Sequence, residues 1–398
     1  MTSAGPLDGV RVLDAANVIA GPGAAARLGD FGAEIIKIEH PKLGDASRRL
    51  GWEAGGTTLW WKWLARNKQP ITLDLSKEEG QDLFMRLIDR SDVLVESFRP
   101  GTLEKWNLAP ERLLEANPDL IVLRISGFGQ TGPYSRRPGF GTLAEAMSGF
   151  VHMNGFPDQP PLLPPIALAD EVAGMLGAYA VVLALLAREK GVSDGQVIDL
   201  SLIESLLQVI GPVPLAYDQL GVVPGRAGSR LPYTAPRGVF RCGDDRWVAI
   251  SGTAQSVAAR LFAAIGRPEL IEDERFLTNE LRLQHVDELE RYLEEWIGER
   301  PLKEVMEAFE QYEVAAAPVF DIGMVFEDEH YRERDSLVEV HDEQLGKVRM
   351  PAAQPRMEQT PGSIRHTGAE AGSANADVYG ELGLSEEDLE RLSSDGVI

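Results

Sequence analysis

Residues 9–40 read GVRVLDAANVIAGPGAAARLGDFGAEIIKIEH, and their pattern indicates the class of fold. A short apolar run, Val10–Leu13, ends at Asp14, and a second β-rich run, Ile35–Ile38, ends at Glu39 and His40. The small residues of Gly21–Gly32 between them indicate a helix. A strand, a helix and another strand in this order predict a parallel βαβ unit.

The same alternation continues through the first third of the chain. Lys77–Arg90 has apolar residues at helical spacing, and it lies between further apolar runs typical of buried strands. These runs are Ile71–Leu75, Val93–Val95 and Leu120–Ile125. Parallel strands are covered by helices on both faces, so the predicted class is α/β with a parallel sheet. A long helix at Asp170–Lys190, and then a strand and a helix within Val197–Leu207, extend the pattern.

A second, smaller α+β domain follows a stretch rich in Pro, Gly and Arg that we interpret as a linker, Val213–Pro236. Its predicted elements are a hairpin at Phe240–Ser251, helices at Ala254–Ile265 and about Asp287–Phe309, and a strand at Pro318–Phe320. The polar tail ends in a helix whose capping box is Ser385 and Asp388, and we expect it to pack on the first domain. The predicted domains are 1–212, 213–330 and a returning segment at 331–398.

Composition narrows the functional classes. The chain has 398 residues, with 39 Lys and Arg against 62 Asp and Glu, for a net charge of −23. This balance argues against broad binding to nucleic acid or membrane surfaces, although one local basic pocket is compatible with it. A single cysteine, Cys242, excludes an internal disulfide framework, and the six histidines show no HxH or HExxH spacing, so we expect no metal site.

The N-terminal residues lack the charged and apolar regions of a signal peptide. The longest apolar stretch, Val172–Ala187, is shorter than the roughly 20 residues of a membrane span. We therefore expect a cytoplasmic protein in which this stretch is a buried core helix.

One motif resembles a dinucleotide fingerprint. Gly127, Gly129 and Gly132 fit GxGxxG after a predicted strand. Pro133 follows directly, and no acidic residue stands about 20 positions further on, as NAD binding requires. We expect these glycines to shape a loop at the carboxyl end of a strand.

Asp170 stands at the start of the long predicted helix and has two interpretations. The simpler one is an N-cap, in which the side chain accepts backbone N–H bonds. The other is a nucleophilic carboxylate, because a helix N-terminus favours the ionised form and carboxylates act as covalent nucleophiles. Glu145 and Glu171 could transfer protons beside it, but structural or solvated roles are the simpler expectation.

Basic residues follow several separate strands, so a parallel sheet would gather them at one edge, where they would attract phosphates. They are His40, Arg99, Lys105, Arg136 and Arg137. The run Trp60–Trp63 is more typical of core or subunit contact than of a cofactor platform, and Cys242 is expected as a small buried hydrophobe.

Several ordered segments together resemble the family III CoA-transferases, the CaiB/BaiF group that includes formyl-CoA transferase and carnitine CoA-transferase. They are PLDGVRVLD with IAGP (6–22), FGAEIIKIEHP (31–41), NKQPITLDL (67–75), DVLVESFRPGTLEKW (92–106), NPDLIVLRISGFGQTGPY (117–134), GFGTLAEAMSG (139–149), Asp170 with Gly174, DGQVIDLSLIESLL (194–207) and ELGLSEEDLERL (381–392).

The resemblance implies a Rossmann-like large domain, a small domain and a homodimer of two interlocked chains. It implies an enzyme that moves CoA from an acyl-CoA donor to a free carboxylic acid, with no metal. Asp170 falls where this family keeps its nucleophilic aspartate, which forms mixed-anhydride and aspartyl-CoA thioester intermediates. The family pattern places CoA contacts at Asn17, Val18, Ala20, His40, Leu73, Leu75, Ser97, Phe98, Arg99, Lys105 and Arg137.

The chain also departs from the family pattern. Gly141 follows Phe140 where many members carry an acidic residue, and Ile19 replaces the glutamine of formyl-CoA transferase. Only Pro236–Val239 remains near the place of that enzyme's glycine-rich loop. These differences argue against formyl and oxalate substrates and favour a larger or less polar acyl group. The donor and acceptor acids stay open among succinate-type dicarboxylates, carnitine-like acids and aromatic acids.

Two alternatives share this fold. An α-methylacyl-CoA racemase needs a histidine in the loop Ser135–Phe140, which has none; His152 is the nearest. A CoA-binding protein without catalytic activity is the other alternative.

Overall fold

The computed structural model describes residues 5–398. Contacts within the chain divide it into two units. The large unit holds the chain up to Phe150, together with Leu163–Gly211 and Glu333–Ile398. The small unit holds Val151–Leu162 and Pro212–Arg332.

The first half of the chain alternates strands and helices. In chain order they are β1 (Arg11–Asp14), α1 (Ala20–Asp30), β2 (Glu34–Glu39), β3 (Glu53–Ala54), β4 (Thr57–Thr58), α2 (Leu59–Leu64), β5 (Lys68–Thr72), α3 (Glu78–Ile88), β6 (Val93–Glu96), α4 (Thr102–Lys105), α5 (Pro110–Ala116), β7 (Ile121–Ser126), α6 (Gly141–Met147), α7 (Phe150–Met153), α8 (Leu168–Glu189), β8 (Gln196–Ser201) and α9 (Leu202–Val209).

The second half contains the small unit and the returning tail. Its elements are α10 (Val213–Leu220), β9 (Arg237–Arg241), β10 (Trp247–Ser251), α11 (Gln255–Ala264), α12 (Asn279–Gln284), α13 (Val286–Gly298), α14 (Leu302–Gln311), β11 (Ala316–Pro318), α15 (Ile322–Glu327), α16 (Glu329–Glu333), β12 (Leu337–Asp342), β13 (Gly346–Pro351), α17 (Asn375–Glu381) and α18 (Glu386–Ser394).

The large unit is built on a parallel sheet, as predicted. Among the described residues six strands pair in the order β5-β2-β1-β6-β7-β8, and all the pairings are parallel. The chain moves outward from β1 to β2 and β5, and then from β6 to β7 and β8, so the strand order reverses between β1 and β6. Open α/β sheets bind their ligands outside the carboxyl ends of the strands at such a switch point.

One strand was predicted a few residues too late. The sequence indicated Ile71–Leu75, whereas β5 runs from Lys68 to Thr72. Lys68 is almost fully buried. Its ammonium group lies 2.7 Å from the buried carboxylate of Asp14, which compensates for the loss of water. A polar residue at the start of a buried strand is tolerated where such a partner exists.

Each face of the sheet is covered by helices. On one face, buried residues of the tail, among them Tyr379, Leu392 and Val397, join the core around Leu13 and Ile71. The predicted helix from Ser385 is α18, and Ser385 and Asp388 form its capping box.

On the other face α8 packs closely on α1. A side-chain carbon at Gly174 would lie 3.0 Å from the carbonyl oxygen of Ala20, and one at Gly177 would lie 3.4 Å from Cβ of Ala24. These glycines therefore set the distance between the two helices.

The prediction that α8 is a buried core helix holds for one side only. Ala173, Gly177 and Val181 are buried, but Met175 and Tyr179 on the opposite side are more than half exposed. By length and composition alone, α8 could cross a membrane, a test that core helices of soluble proteins also pass.

The small unit contains the predicted hairpin, formed by antiparallel β9 and β10, and β11 joins it as a third strand. The interpretation of 213–236 as a linker was partly wrong, because Val213–Leu220 forms α10. In the large unit the sequence analysis missed the antiparallel hairpin of β12 and β13.

Candidate active site at the sheet edge and the start of α8

Two of the predicted CoA contacts meet at the switch point. The loop after β1 and the loop after β6 join where the backbone N–H of Asn17 donates to Oγ of Ser97 at 2.9 Å. The next residue, Val18, has φ 72, a conformation that β-branched residues rarely adopt. Its N–H faces Oδ1 of Asp45 at 3.4 Å. The chain is therefore held in a strained turn at the place where the fold binds ligands.

The predicted basic cluster forms in part. Arg99, Lys105 and Arg136 line one open cavity of about 660 Å³, next to Gly101 and Thr102. The cavity lies just beyond β6, as the argument from strand ends predicts. Arg136 lines this cavity together with Arg99 and Lys105, although the family pattern places no CoA contact at this residue.

The other two basic residues lie apart from this cavity. The guanidinium of Arg137 stacks on the ring of Tyr134 at 3.9 Å. Nδ1 of His40 faces the N–H groups of Lys42 and Leu43, and Nε2 lies 3.9 Å from Asp74.

Several predicted contacts could reach a ligand only through their backbone. The side chains of Ala20, Leu73 and Leu75 are buried in the two cores of the large unit. Phe98 is half-buried and packs edge-on against Trp106, with ring centroids 5.0 Å apart.

A buried ionic network lies beneath the strand ends. Nζ of Lys68 lies 2.7 Å from Asp14 and 2.6 Å from the carbonyl oxygen of Pro22 in α1. Nζ of Lys37 lies 2.9 Å from Asp45. Burial lowers the pKa of Lys68 to about 8, although the attraction of Asp14 opposes this shift. Buried ions that are paired in this way hold their loops in one geometry.

Asp170 lies in the first turn of α8, but it is not the N-cap. The helix begins at Leu168 and its N-cap is Ala167, so the N-cap interpretation was wrong. Within residues 5–398, the Asp170 carboxylate caps no backbone N–H of the helix, and its own N–H favours the charged form. The first turn of α8 is thus formed without using this carboxylate as a cap, and the side chain is only partly buried.

The surroundings of Asp170 disfavour its charge. Burial raises the pKa of Asp170 to about 6, and the neighbouring carboxylates of Glu145 and Glu171 act in the same direction. The helix N-terminus opposes this shift. The carboxylate is therefore ionised at neutral pH but more basic than an exposed one, which suits a nucleophile.

The two neighbouring glutamates differ in their surroundings. Glu171 pairs with Arg27 of α1 at 2.5 Å, so it ties α8 to α1. Glu145 is only 3% exposed, and its Oε1 accepts a bond from the N–H of Ala169 at 3.3 Å. Of the two roles expected for Glu145, structural or solvated, the structure shows the structural one, and no short-range pattern in the sequence connects it with Asp170.

Gly141 is a neighbour of Asp170 to which the sequence assigns no role. A side-chain carbon built on Gly141 would lie only 2.0 Å from Oδ2 of Asp170. The carboxylate therefore lies directly over this glycine. The sequence showed only that a side chain is absent at 141, and the structure shows what fills the space.

The remaining motifs of the sequence have structural roles. Residues 127–140, all of them described, form turns and bends without the helix of a dinucleotide site. Gly127 and Gly139 approach so closely that neither could carry a side chain. Their contact closes the loop 127–140 at its base. The side chain of Trp61 is buried in the large unit, and Cys242 is buried in the core of the small unit. His152 also belongs to the small unit.

The comparisons with known proteins agree with one another. The model of CoA-transferase family III matches residues 7–373. The chain is 40% identical over 395 residues to succinyl-CoA–D-citramalate CoA-transferase of Chloroflexus aurantiacus, covering 99% of this chain and 98% of that one. It is 42% identical over 398 residues to the succinyl-CoA–L-malate CoA-transferase beta subunit of the same organism, with coverage of 99% and 98%.

Among solved structures, a CAIB/BAIF family protein from Brucella suis superimposes with a TM-score of 0.84 at 30% identity. The match covers 95% of this chain and 100% of that one. The chain therefore belongs to CoA-transferase family III. It is a CoA-transferase with the α/β fold of the CaiB/BaiF proteins, acting on CoA thioesters and carboxylates.

Proposed function

We propose that the protein transfers CoA from succinyl-CoA to a small hydroxy-dicarboxylic acid of the malate or citramalate type, and that Asp170 is its nucleophile. The substrates follow from one observation. Transferases named for succinyl-CoA with L-malate or D-citramalate are 40–42% identical to this chain over nearly its whole length. The choice lies within the succinate-type dicarboxylates that the sequence left open.

In the proposed chemistry, an oxygen of the Asp170 carboxylate attacks the thioester carbon of succinyl-CoA. The carbon–sulfur bond breaks, and the CoA thiolate leaves with the electron pair. The thiolate then attacks Cγ of the mixed anhydride, which releases succinate and leaves an aspartyl-CoA thioester. The acceptor carboxylate reverses both steps. Thioester energy is retained throughout, and one difficult exchange becomes several easier acyl transfers.

The geometry of the large unit supports this assignment. Asp170 is partly accessible, has no cationic side chain bonded to it among residues 5–398, and has a pKa of about 6 because of burial and neighbouring carboxylates. One turn further on, Gly174 touches the backbone of Ala20, which follows the strained turn at Val18. The start of α8 and the switch-point loop are thus held together by direct packing.

The proposal includes the binding of CoA at the sheet edge. Arg99 and Lys105 would hold phosphates in the cavity beyond β6, with Asn17, Val18, Ser97 and Phe98 beside it and His40 and Arg137 at the periphery. It also includes a cytoplasmic homodimer of interlocked chains and a reaction that needs no metal. The α-methylacyl-CoA racemase has no comparable support, because the loop at 135–140 carries no histidine.

The test combines a substrate panel with one variant. Succinyl-CoA is incubated with L-malate, D-citramalate, glutarate or oxalate, and the new CoA thioesters are measured by mass spectrometry. We expect transfer to the hydroxy-diacids to be fastest. Asp170→Ala should reduce transfer at least 1,000-fold, the order expected when a catalytic nucleophile is removed, while CoA still binds. In the wild-type protein, hydroxylamine should attack Cγ of the aspartyl-CoA thioester, release CoA and leave a hydroxamate on Asp170. Transfer that persists in Asp170→Ala would exclude Asp170 as the nucleophile.

A further inference from the structure

Gly141 leaves no room for a side chain beside Asp170. A Cβ atom at Gly141 would lie 2.0 Å from Oδ2, 3.1 Å from Cγ and 3.7 Å from the backbone nitrogen of Asp170. The place that any other side chain at 141 would occupy is therefore filled by one oxygen of the Asp170 carboxylate.

This place is fixed by its surroundings. Gly141 is the first residue of α6, and Glu145, one turn later, accepts a bond from the N–H of Ala169. That bond ties α6 to the residue directly before Asp170. Gly141 and Ala169 are both buried, so the space above Gly141 keeps its shape.

We propose that Gly141 is a positioning residue: its missing side chain leaves the space in which one oxygen of the Asp170 carboxylate is held during the transfer. The inference rests on the proposed role of Asp170 as nucleophile. One oxygen stays in this space while the other bonds to the acyl carbon. The oxygen held over Gly141 then remains as the carbonyl oxygen of the anhydride and of the thioester.

We expect the chain to tolerate an alanine at 141, so the inference can be tested. The backbone of Gly141 lies outside the left-handed region, so alanine is compatible with its conformation. The atom in the way is the end of a short side chain, and Asp170 can rotate away. Gly141→Ala should therefore fold and bind CoA, but its carboxylate should be displaced.

The test compares Gly141→Ala with Gly380→Ala. Gly380 is also helical, and a side-chain carbon there would meet nothing within 4 Å. For Gly141→Ala we expect kcat to fall at least 10-fold, because a misplaced reacting group slows the chemical step. KM for succinyl-CoA should stay within about twofold of the wild type. Hydroxylamine trapping on Asp170 should fall in parallel with kcat. Gly380→Ala should match the wild type.

A pH profile separates displacement from general damage. A carboxylate pushed out of its sheltered place loses much of its desolvation, so the acid limb of kcat/KM should move to lower pH in Gly141→Ala. Glu145 of α6 and Glu171, which pairs with Arg27 of α1, raise the pKa of Asp170, and the variant leaves both of them in place. The other carboxylates on neighbouring elements are also unchanged: Glu204 of α9 bonds Ser201, and Asp199 of β8 accepts from the N–H of Gln130.

The outcomes distinguish the inference from the proposed function. An inactive Asp170→Ala together with a fully active Gly141→Ala overturns the positioning role alone. Transfer that survives in Asp170→Ala overturns both. A Gly141→Ala protein that cannot fold also contradicts the inference, because rotation of Asp170 should have relieved the contact.

Discussion

At the scale of single residues, the protonation of Asp170 is the property on which activity should depend. Its pKa of about 6 lies above that of an ordinary aspartate because of burial first and the repulsion of Glu145 and Glu171 second. A raised pKa means that the carboxylate picks up a proton as the pH falls through about 6. The protonated form cannot attack a thioester.

We therefore expect kcat/KM to be constant above about pH 7 and to fall tenfold per pH unit well below 6. Glu145→Gln removes one of the two repelling charges, so its acid limb should lie at lower pH. The measurement is the rate with subsaturating succinyl-CoA between pH 5 and 8, compared with Glu327→Gln as a control on an outer helix of the small unit. An unshifted limb in Glu145→Gln would show that its carboxylate does not act on Asp170.

The residues of this site mark the limit of what the sequence could predict. Asp170 stood out because it followed a Pro-rich stretch at a helix start, and the resemblance supplied its chemistry. Its position in the first turn depends on Leu168 and Ala169 being helical, which no pattern required. The approach of Gly141 and Glu145 is a tertiary contact across more than 20 residues, so only the folded chain shows it.

At the scale of elements, the close packing of α8 on α1 determines where Asp170 lies. Gly174 touches the backbone of Ala20, and Arg27 of α1 bonds both Glu171 and the carbonyl oxygen of Gly23. A larger residue at 174 would push the start of α8 away from the switch-point loop.

Gly174→Val should reduce the free energy of unfolding by about 1–3 kcal/mol, the usual cost of overpacking, and should also reduce kcat. Gly380→Val is the matched control, since it places the same side chain on a helix with open space around it. Urea unfolding of both variants gives the comparison. Equal stability in the two would mean that α1 and α8 are not held at contact distance.

The elements were predicted unevenly, for physical reasons. Strands such as Val93–Val95 and Leu120–Ile125 were evident because a central parallel strand is apolar on both faces. Lys68 hid the start of β5, since its burial depends on Asp14 far away in the sequence. The helix α10 could not be predicted because Pro and Gly residues surround it. The outer face of α8 was predicted as core because its composition is apolar.

At the scale of the whole molecule, the outer face of α8 carries a continuous apolar stripe. Its spacing is that of one face of a helix, and its members are between 41% and 61% exposed: Met175, Tyr179, Val182, Leu183 and Leu186. A stripe of this kind is typical of a surface covered by another protein, and the proposed homodimer would cover it.

We expect the wild-type protein to sediment as a particle of two chains at micromolar concentration. Leu183→Glu places a charge in the middle of the stripe and should shift the protein towards single chains or aggregates, because an unpaired buried charge is costly. Val192→Glu, just beyond the end of α8, should remain a dimer. A single-chain wild-type particle with full transferase activity would exclude the proposed assembly.

The tail that completes the large unit also has a consequence for biosynthesis. Leu13, Ile38 and Ile71 emerge early from the ribosome, yet their core includes Tyr379, Leu392 and Val397, made more than 300 residues later. Through most of translation the part of this core that the tail covers stays exposed and prone to aggregate. Rapid production of the protein should therefore depend on chaperones that shield the early strands until the last two helices arrive.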